Sequence, residues 1–313
     1  MNKWQWIGII LLLTAVVSCK EKAKKEQVAL PAKTAPVFKP VSVPMTYTDQ
    51  VQQAEYLAAR FWDNLNFTDT SLVHLPEITE AFSVYASVLG AVPKGKAVAS
   101  VKKTWKEATK EKRVLHHFAS LFEQFLYDPN SPFMNEDLYI TILEMTIDSD
   151  DFEEEERARA AHRLEMALKN KMGSRATDFS LTLASGKKMR LYNIKADYTL
   201  IFFNNPGCHT CKIFRDNICA SPVIAELTRQ GRIKIVAVYP DEDLSEWKEY
   251  LPNIPGEWIN GYDEKLALRG EKLYNLRAIP TLYLLDKEKT VLLKDARFEL
   301  IEHYLATVTA PGT

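Results

Sequence analysis

Two cysteines three positions apart are the residues of this chain best suited to chemistry. Cys208 and Cys211 follow an apolar run at residues 198–203 that predicts a fully buried strand, and the segment after them has helical spacing. Two thiols at this spacing can close on each other, and a helix N-terminus lowers the pKa of the first thiol. The motif therefore indicates a dithiol/disulfide redox centre.

A zinc site and a structural bond are the alternatives for the same motif. Half of a zinc site would need a second pair of ligands, but the remaining cysteines are Cys19 and Cys219, so we predict no metal. Cys219 lies eight positions beyond Cys211 in the same predicted helix, and the rise of about 12 Å is too large for a bond between them. We expect Cys219 to be a buried helix thiol rather than a third redox partner. A structural disulfide without redox activity remains an alternative for the pair.

The first 18 residues have the layout of a secretory signal. Lys3 precedes an apolar stretch, residues 7–17, that is too short to span a bilayer. Residues 16–19 read Val-Val-Ser-Cys and resemble a bacterial lipobox, which implies cleavage before Cys19 and lipid on its sulfur. Lys20 is not the Asp that marks inner-membrane retention in Gram-negative lipoproteins, so we expect an exported protein anchored in the outer membrane and facing the periplasm. An uncleaved anchor and an ordinary signal peptide are the alternatives.

Composition sets limits on the remainder of the chain. At 313 residues it is long enough for about two domains, and its net charge of −1 gives no basic surface for nucleic acid. Residues 19–46 are rich in Lys and Pro and predict a semi-extended tether. An exported compartment is oxidising, so a reducing role for the cysteine pair would need electrons delivered across the membrane.

Residues 47–172 predict an all-α domain. Apolar residues recur at helical spacing, whereas no segment reads convincingly as a strand. We expect His116 and His117 to be one core-edge and one exposed histidine rather than a metal site, because no Cys, Asp or Glu lies at ligand spacing on the same face. Helices are predicted near residues 51–65, 76–89, 97–109, 112–127, 135–147 and 151–171, with Gly173 as the natural stop of the last one.

Residues 173–313 alternate strands and helices. Strands are predicted at 178–183, 189–191, 198–203, 233–238, 281–285 and 291–293. Helices are predicted from Cys208 to about Arg229, at 243–250, at 264–275 and at 298–307. This order implies a parallel strand pair with a crossover helix, completed by an antiparallel hairpin.

The order of these elements, together with Ile279-Pro280-Thr281, resembles thioredoxin. Residues 177–181, 258–263 and 274–286 narrow the resemblance to the TlpA/ResA-like branch of membrane-tethered thiol–disulfide oxidoreductases. The helical half is similar, more loosely, to an uncharacterised domain found ahead of such modules in Gram-negative lipoproteins. The implied fold is an α+β two-domain protein, with an all-α domain followed by a thioredoxin-like α/β domain whose central mixed sheet is flanked by helices.

The resemblance assigns roles to the site residues. Cys208, at the helix N-terminus, should attack as a thiolate, and the more buried Cys211 should resolve the mixed disulfide. Pro280 should be cis and present the backbone of Ile279 beside the sulfurs, where an extended substrate chain can pair with it. The expected partners are disulfide-containing exported proteins, a membrane electron donor or oxidant, and the membrane itself through the lipid on Cys19; no dissociable cofactor is expected. The predicted substrate groove consists of Gly207, Ile279, Pro280 and Thr281.

The motif departs from thioredoxin at several positions. His209 could stabilise the Cys208 thiolate or could be an exposed turn residue with little effect, and Thr210 replaces a common proline. Gly207 stands where thioredoxins carry Trp. Phe202 stands where thioredoxin has a buried Asp, so proton transfer at Cys211 would need water or another acid such as Glu257.

The same residues leave the function open in two respects. Reduction, oxidation and isomerisation of disulfides use one set of residues and differ in redox potential by a few tens of millivolts. The alternative to an enzyme is a client- or envelope-binding lipoprotein whose thioredoxin-like domain is a scaffold with a structural disulfide.

Overall fold

Six α-helices precede the first strand in the computed structural model, which describes residues 38–310. The predicted signal peptide, Cys19 and most of the predicted tether lie outside the described residues. The all-α prediction for this part of the chain is confirmed. The helices are Gln50–Arg60 (α1), Pro76–Gly90 (α2), Lys94–Ala108 (α3), Lys112–Leu126 (α4), Glu136–Ile147 (α5) and Glu154–Leu168 (α6), with a 3₁₀ turn at Thr70–His74.

The helices pack around a core of aromatic side chains. Trp62, Phe82 and Phe118 are buried and contact one another at ring-centroid distances of 5.2 to 6.1 Å. Phe38 stacks on Trp62 with centroids 4.9 Å apart, so the chain just before the first helix packs onto the helical core. Tyr85 is fully buried, and burial raises its pKa to about 12 while its hydroxyl bonds to Ser100 and Thr104. Truncating one of these buried rings would cost about 3–5 kcal/mol.

Helix α6 ends earlier than its sequence predicts. A capping box begins it, since Glu156 Oε2 accepts from the backbone N–H of Glu153 at 2.9 Å. The helix stops at Leu168 instead of continuing to residue 171, and Gly173 lies beyond its end. The physical reason is tertiary, because Asn170 has a positive φ of 49° and donates its side-chain amide to the carbonyl of Leu273.

Both predicted non-ligand histidines sit at the edge of the helical core. His116 and His117 are each half-buried, so the expected exposed histidine is not found. His116 Nε2 lies 3.0 Å from the carbonyl oxygen of Asp151, and burial lowers the pKa of His117. Within residues 38–310 no group of three or more His, Cys, Asp or Glu side chains is placed to hold a metal ion.

A mixed sheet of seven strands follows the helices. The strand order is β2-β1-β5-β4-β3-β6-β7, and β3 pairs parallel with β4 and antiparallel with β6. The predicted parallel pair and the antiparallel hairpin of β6 and β7 are confirmed. The strands are Ser180–Leu183 (β1), Lys188–Arg190 (β2), Tyr198–Phe203 (β3), Ile233–Tyr239 (β4), Ile259–Tyr262 (β5), Thr281–Leu285 (β6) and Val291–Lys294 (β7).

Strand β5 is absent from the sequence-based prediction. It has only four residues and contains Gly261, both of which hide the alternation that marks a strand. A Cβ at Gly261 would lie 2.6 Å from Leu181 Cδ1, so glycine lets β5 approach β1 closely. The pairing of these two strands joins the β1–β2 hairpin to the central sheet.

The part of the sheet domain that the structure describes, up to residue 310, contains five α-helices: His209–Ala220 (α7), Pro222–Arg229 (α8), Leu244–Tyr250 (α9), Ala267–Gly270 (α10) and Phe298–Val308 (α11). The single helix predicted from Cys208 to Arg229 is broken, because Ser221 is extended and its hydroxyl caps α8 by accepting from the Ile224 N–H at 3.2 Å. The helix predicted at 264–275 is wrong. Left-handed residues on both sides, Leu266 and Lys272, confine it to the short α10.

The described helices and strands form one compact unit that begins at Phe38. One face of the sheet packs against a cluster that includes Cys211 and Ile218 of α7 and Ile301 of α11. Among residues 38–310 no helix combines the length and apolar character needed to cross a bilayer. The predicted α+β architecture, an all-α part followed by a mixed sheet flanked by helices, is confirmed.

Candidate redox site

The cysteine pair lies where the central strand turns into α7. Strand β3 ends at Phe203, and Cys208 is the N-cap residue of the helix, with its sulfur accepting from the Cys211 N–H at 3.1 Å. Cys208 and Cys211 are joined as a disulfide, with their Cα atoms 5.2 Å apart. The sulfur of Cys208 therefore occupies the end of the helix where unpaired N–H groups favour negative charge.

The two sulfurs differ in access. Cys211 is 2% exposed and belongs to the cluster under the sheet, whereas Cys208 is half-buried. An incoming molecule can reach Cys208, while Cys211 is shielded behind it. This is the difference in exposure that attack by one thiol and resolution by the other require.

The loop before β6 forms the opposite wall of the site. The Ile279–Pro280 peptide bond is cis, as predicted, and the carbonyl oxygen of Ile279 lies 3.8 Å from Cys208 Sγ. Ile279 and Pro280 are partly exposed, and Thr281 is 1% exposed with its hydroxyl donating to the carbonyl of Ala278 at 2.7 Å. The loop thus presents the backbone of Ile279 to Cys208. Thr281, which was predicted to line the substrate groove, is instead buried behind the loop.

The residues around the first cysteine are open to solvent. His209 and Thr210 are exposed and make no side-chain hydrogen bond or ion pair with other residues in the 38–310 range. Gly207 is exposed with a φ of +70°, and a Cβ there would lie 3.3 Å from Glu246 Oε1. Glycine is favoured by this backbone conformation, and the Glu246 carboxylate occupies the space beside it.

The position of the thioredoxin Asp is apolar here. Phe202 is 1% exposed and contacts Trp258 edge-on, with centroids 6.2 Å apart. Glu257, the acid predicted as a possible substitute, is exposed. Its charge raises the pKa of Cys219. Within the described residues no carboxylate hydrogen-bonds to Cys211.

Cys219 is exposed, so the prediction that it is buried is wrong. It lies in the last turn of α7. Partial burial of its sulfur nevertheless raises its pKa, and the charges of Glu257 and Asp216 add to this while that of Arg215 opposes it. It forms no disulfide with the other cysteines of residues 38–310.

Sequence reasoning missed a polar link between the two walls of the site. Asn205, in the turn before Cys208, donates to Asp241 at 2.6 Å, and Asp241 pairs with Arg269 at 3.3 Å. Arg269 in turn donates to the carbonyl of Leu276 at 3.0 Å, in the loop that leads to Pro280. Asn205, Asp241 and Arg269 are far apart along the chain and share no motif, so only the fold brings them together.

This arrangement is a thioredoxin-like fold, with the Cys208–Cys211 pair at the start of α7. A family model described as "Thioredoxin-like" matches residues 196–291. A second, "Domain of unknown function (DUF5106)", matches residues 16–170. The predicted thioredoxin-like module behind an uncharacterised helical domain is therefore confirmed.

A solved thioredoxin-like protein from Bacteroides caccae is similar over both domains. It is 43% identical, covers 88% of this chain and 99% of its own, and has a TM-score of 0.84. The C-terminal domain of an uncharacterized protein from Bacteroides fragilis is 52% identical over 44% of this chain and 98% of its own, with a TM-score of 0.43. Bovine nucleoredoxin is 22% identical over 122 residues, a match that spans 39% of this chain and 28% of nucleoredoxin. The chain belongs to the family of thioredoxin-like proteins.

Proposed function

We propose that this protein is a tethered thiol–disulfide oxidoreductase that exchanges disulfides in exported proteins through Cys208-His209-Thr210-Cys211. One observation carries the proposal: the accessible sulfur of Cys208 caps α7 and lies 3.8 Å from the Ile279 carbonyl, while Cys211 is bonded to it from the buried side. A structural disulfide would gain nothing from an accessible sulfur beside exposed backbone.

The reductive direction can be written as two exchanges. The Cys208 thiolate attacks one sulfur of the substrate disulfide, forms a mixed disulfide and releases the other substrate sulfur as a thiolate. The Cys211 thiolate then attacks Cys208 Sγ, forms the intramolecular disulfide and releases the second substrate thiolate. Two electrons and two protons pass to the substrate, and a dithiol donor must then reduce Cys208–Cys211. The oxidative direction is the same sequence in reverse.

The site offers the substrate a backbone partner. The Ile279 carbonyl can accept from an N–H of an extended chain that carries the attacked cysteine. Gly207, directly before Cys208 in sequence, carries no side chain, and the Glu246 carboxylate lies beside it. Ile213, one turn further along α7, is 43% exposed and adds apolar surface near the pair. Together these features favour a polypeptide disulfide over a small-molecule disulfide as the substrate.

The membrane tether is part of the proposal. It rests on the lipobox-like residues 16–19 and the Lys- and Pro-rich segment that follows them. We expect metabolic labelling with palmitate in the full-length chain and loss of both label and membrane association in Cys19→Ala. Label that persists in Cys19→Ala would contradict lipidation at this cysteine.

Mixed-disulfide trapping tests the redox role. Cys211→Ser should accumulate a covalent complex with a disulfide substrate such as insulin, because Cys208 can attack but nothing resolves the product. Cys208→Ser should form none. The reduction potential of the pair separates an exchange centre from a structural bond, since a value well above about −300 mV is expected for an exchange centre. No trapping, with a potential far below that value, would leave a structural disulfide.

A further inference from the structure

Arg277 connects the loop of the redox site to the helical domain. It lies two residues before Ile279 in sequence, and its Nη1 donates to the carbonyl of Tyr127, the C-cap residue of α4. Its guanidinium also lies over the Tyr127 ring, 4.1 Å from the centroid. Tyr127 is itself fixed by stacking on Tyr139 of α5, with centroids 4.4 Å apart. Both the backbone and the ring of Tyr127 therefore hold this arginine.

The same guanidinium is bound from the sheet side. Asp295, just after β7, accepts from Arg277 Nη2 at 3.0 Å, and the two side chains are 11% and 17% exposed. The other oxygen of Asp295 lies 3.5 Å from the hydroxyl of Thr281. Arg277 directly precedes the segment 278–281 in sequence, and Asp295 contacts the last residue of that segment, Thr281.

A second ion pair joins the same surfaces. The side chain of Lys294 is 5% exposed and lies 2.6 Å from Glu136, the first residue of α5. Its ammonium also donates to the carbonyls of Ala167 and Lys169 at 2.8 Å, so all three protons are used. Burial lowers the pKa of Lys294 and raises that of Glu136, and their mutual attraction opposes both shifts.

Buried ion pairs add little net stability, because desolvation offsets the attraction between the charges. Several hydrogen bonds from one side chain to fixed carbonyls do, however, define the position of that side chain. Arg277 and Lys294 are the sheet-domain residues that make these bonds, and Arg277 directly precedes the loop that carries Ile279. A cleft of about 1000 Å³ lies between the two domains at this point, with Arg277, Lys294 and Asp295 among its lining residues.

We propose that the helical domain holds the Ile279–Pro280 wall of the substrate groove in place through Arg277, which makes Arg277 a positioning residue for disulfide exchange. The inference rests on the proposed function and adds a role for the helical domain. A polypeptide substrate must place its cysteine on Cys208 while its backbone pairs with Ile279, so a displaced wall weakens its binding. A small disulfide that does not use this wall is insensitive to the displacement.

Steady-state kinetics with two substrates tests the inference. In Arg277→Ala, KM for insulin reduction with dithiothreitol as donor should rise about fivefold at unchanged kcat. KM and kcat for the reduction of glutathione disulfide should each change less than about twofold. Tyr127→Leu removes the ring beneath Arg277 without altering the sheet domain, and it should act in the same direction. If Arg277→Ala does not fold, the same measurements on Tyr127→Leu test the inference.

Arg175 supplies a matched control. It lies 4.0 Å from the Tyr192 ring centroid and donates to the carbonyl of Glu288, which is the same kind of contact away from the groove. Arg175→Ala should leave both substrates unaffected.

Two results would count against the inference, and they are distinguishable. An insulin-to-glutathione ratio of kcat/KM that stays unchanged in Arg277→Ala and Tyr127→Leu, whether both activities are retained or both fall equally, would overturn it while the proposed function stands. A wild-type protein that turns over neither substrate would overturn the proposed function, and the inference with it. A lowered melting temperature alone does not support it, since the ratio is the deciding measurement.

Discussion

The two ends of α7 each carry a cysteine outside the buried cluster, and they give the sulfur opposite surroundings. At the N-terminus, Cys208 caps the helix and accepts the Cys211 N–H, next to the positive end of the helix dipole. At the C-terminus, Cys219 lies at the negative end of the dipole, and partial burial of its sulfur together with Glu257 and Asp216 raises its pKa. One helix therefore favours a thiolate at its start and a thiol at its end.

The comparison shows that exposure does not identify a reactive cysteine. Cys219 is exposed and Cys208 is half-buried, so exposure alone would select the wrong residue. What separates them is the polarity of the helix end and the presence of a second thiol within bonding distance. The cysteine pair lies just beyond the carboxyl end of β3, beside the Ile279 carbonyl of the opposing loop.

Removal of either sulfur gives the largest expected difference between the two ends. Cys208→Ser should lower the rate of insulin reduction by about 10³-fold or more, because serine is a poor nucleophile towards disulfides. Cys219→Ser, the same substitution at the other end of the helix, should leave the rate within about twofold. A comparable loss in both variants would show that Cys219 takes part in the exchange.

Selective alkylation gives the next largest effect. In the reduced wild-type protein at pH 7, iodoacetamide should label Cys208 about 30-fold faster than Cys219, as followed by peptide mass spectrometry. Because the pKa of Cys219 is raised above its ordinary value, its thiolate fraction and its labelling rate should still be increasing at pH values above that ordinary value. Equal labelling rates at pH 7 would contradict the assignment of opposite environments.

A backbone substitution tests the N-terminal end alone. Gly207→Ala should lower the free energy of unfolding by about 1–2 kcal/mol, since the left-handed conformation disfavours a Cβ. Gly231 has a similar φ of +71° with open space around it, so Gly231→Ala measures the backbone effect without the Glu246 contact. Thermal or urea unfolding in which Gly207→Ala is the less destabilising of the two would contradict the crowding seen beside Cys208.

Continuous apolar runs made the central sheet predictable from sequence. The bounds of β3 and β6 are confirmed residue for residue, because both strands are buried on both faces and end at clear turn signals. The same reasoning failed at residues 264–275, where apolar residues have helical spacing but Leu266 and Lys272 adopt left-handed backbone. The spacing of apolar residues predicts which side of a segment is buried, but it does not predict a turn that tertiary contacts impose.

The cysteine pair and Pro280 could be predicted because motif and spacing are local in sequence. The contact of Arg277 with Tyr127 could not, since it joins two residues 150 positions apart and neither has a distinctive neighbour. The exposure of Cys219 could not be predicted either. Free cysteines tend to be buried, and no pattern in the sequence shows that the last turn of α7 is uncovered.

The smallest expected effect concerns the charge beside Cys219. Arg215 lowers the pKa of Cys219 and is held by Asp216 and by the hydroxyl of Tyr250, to which it donates at 2.9 Å. In Arg215→Gln the pKa of Cys219 should rise further, so its thiolate fraction at pH 8 falls and its alkylation slows about twofold, while Cys208 is unaffected. The change should shrink in 1 M salt, because screening already weakens the arginine's influence.

Arg229 provides the control for this last measurement. It pairs with Glu226 on the neighbouring helix α8, and it is not among the charges that shift the pKa of Cys219. Arg229→Gln should leave the alkylation rates of both cysteines unchanged. Faster labelling of Cys219 in Arg215→Gln would mean that the arginine shields the sulfur sterically more than it stabilises the thiolate, and the low reactivity of this end of α7 would then be a matter of access rather than of charge.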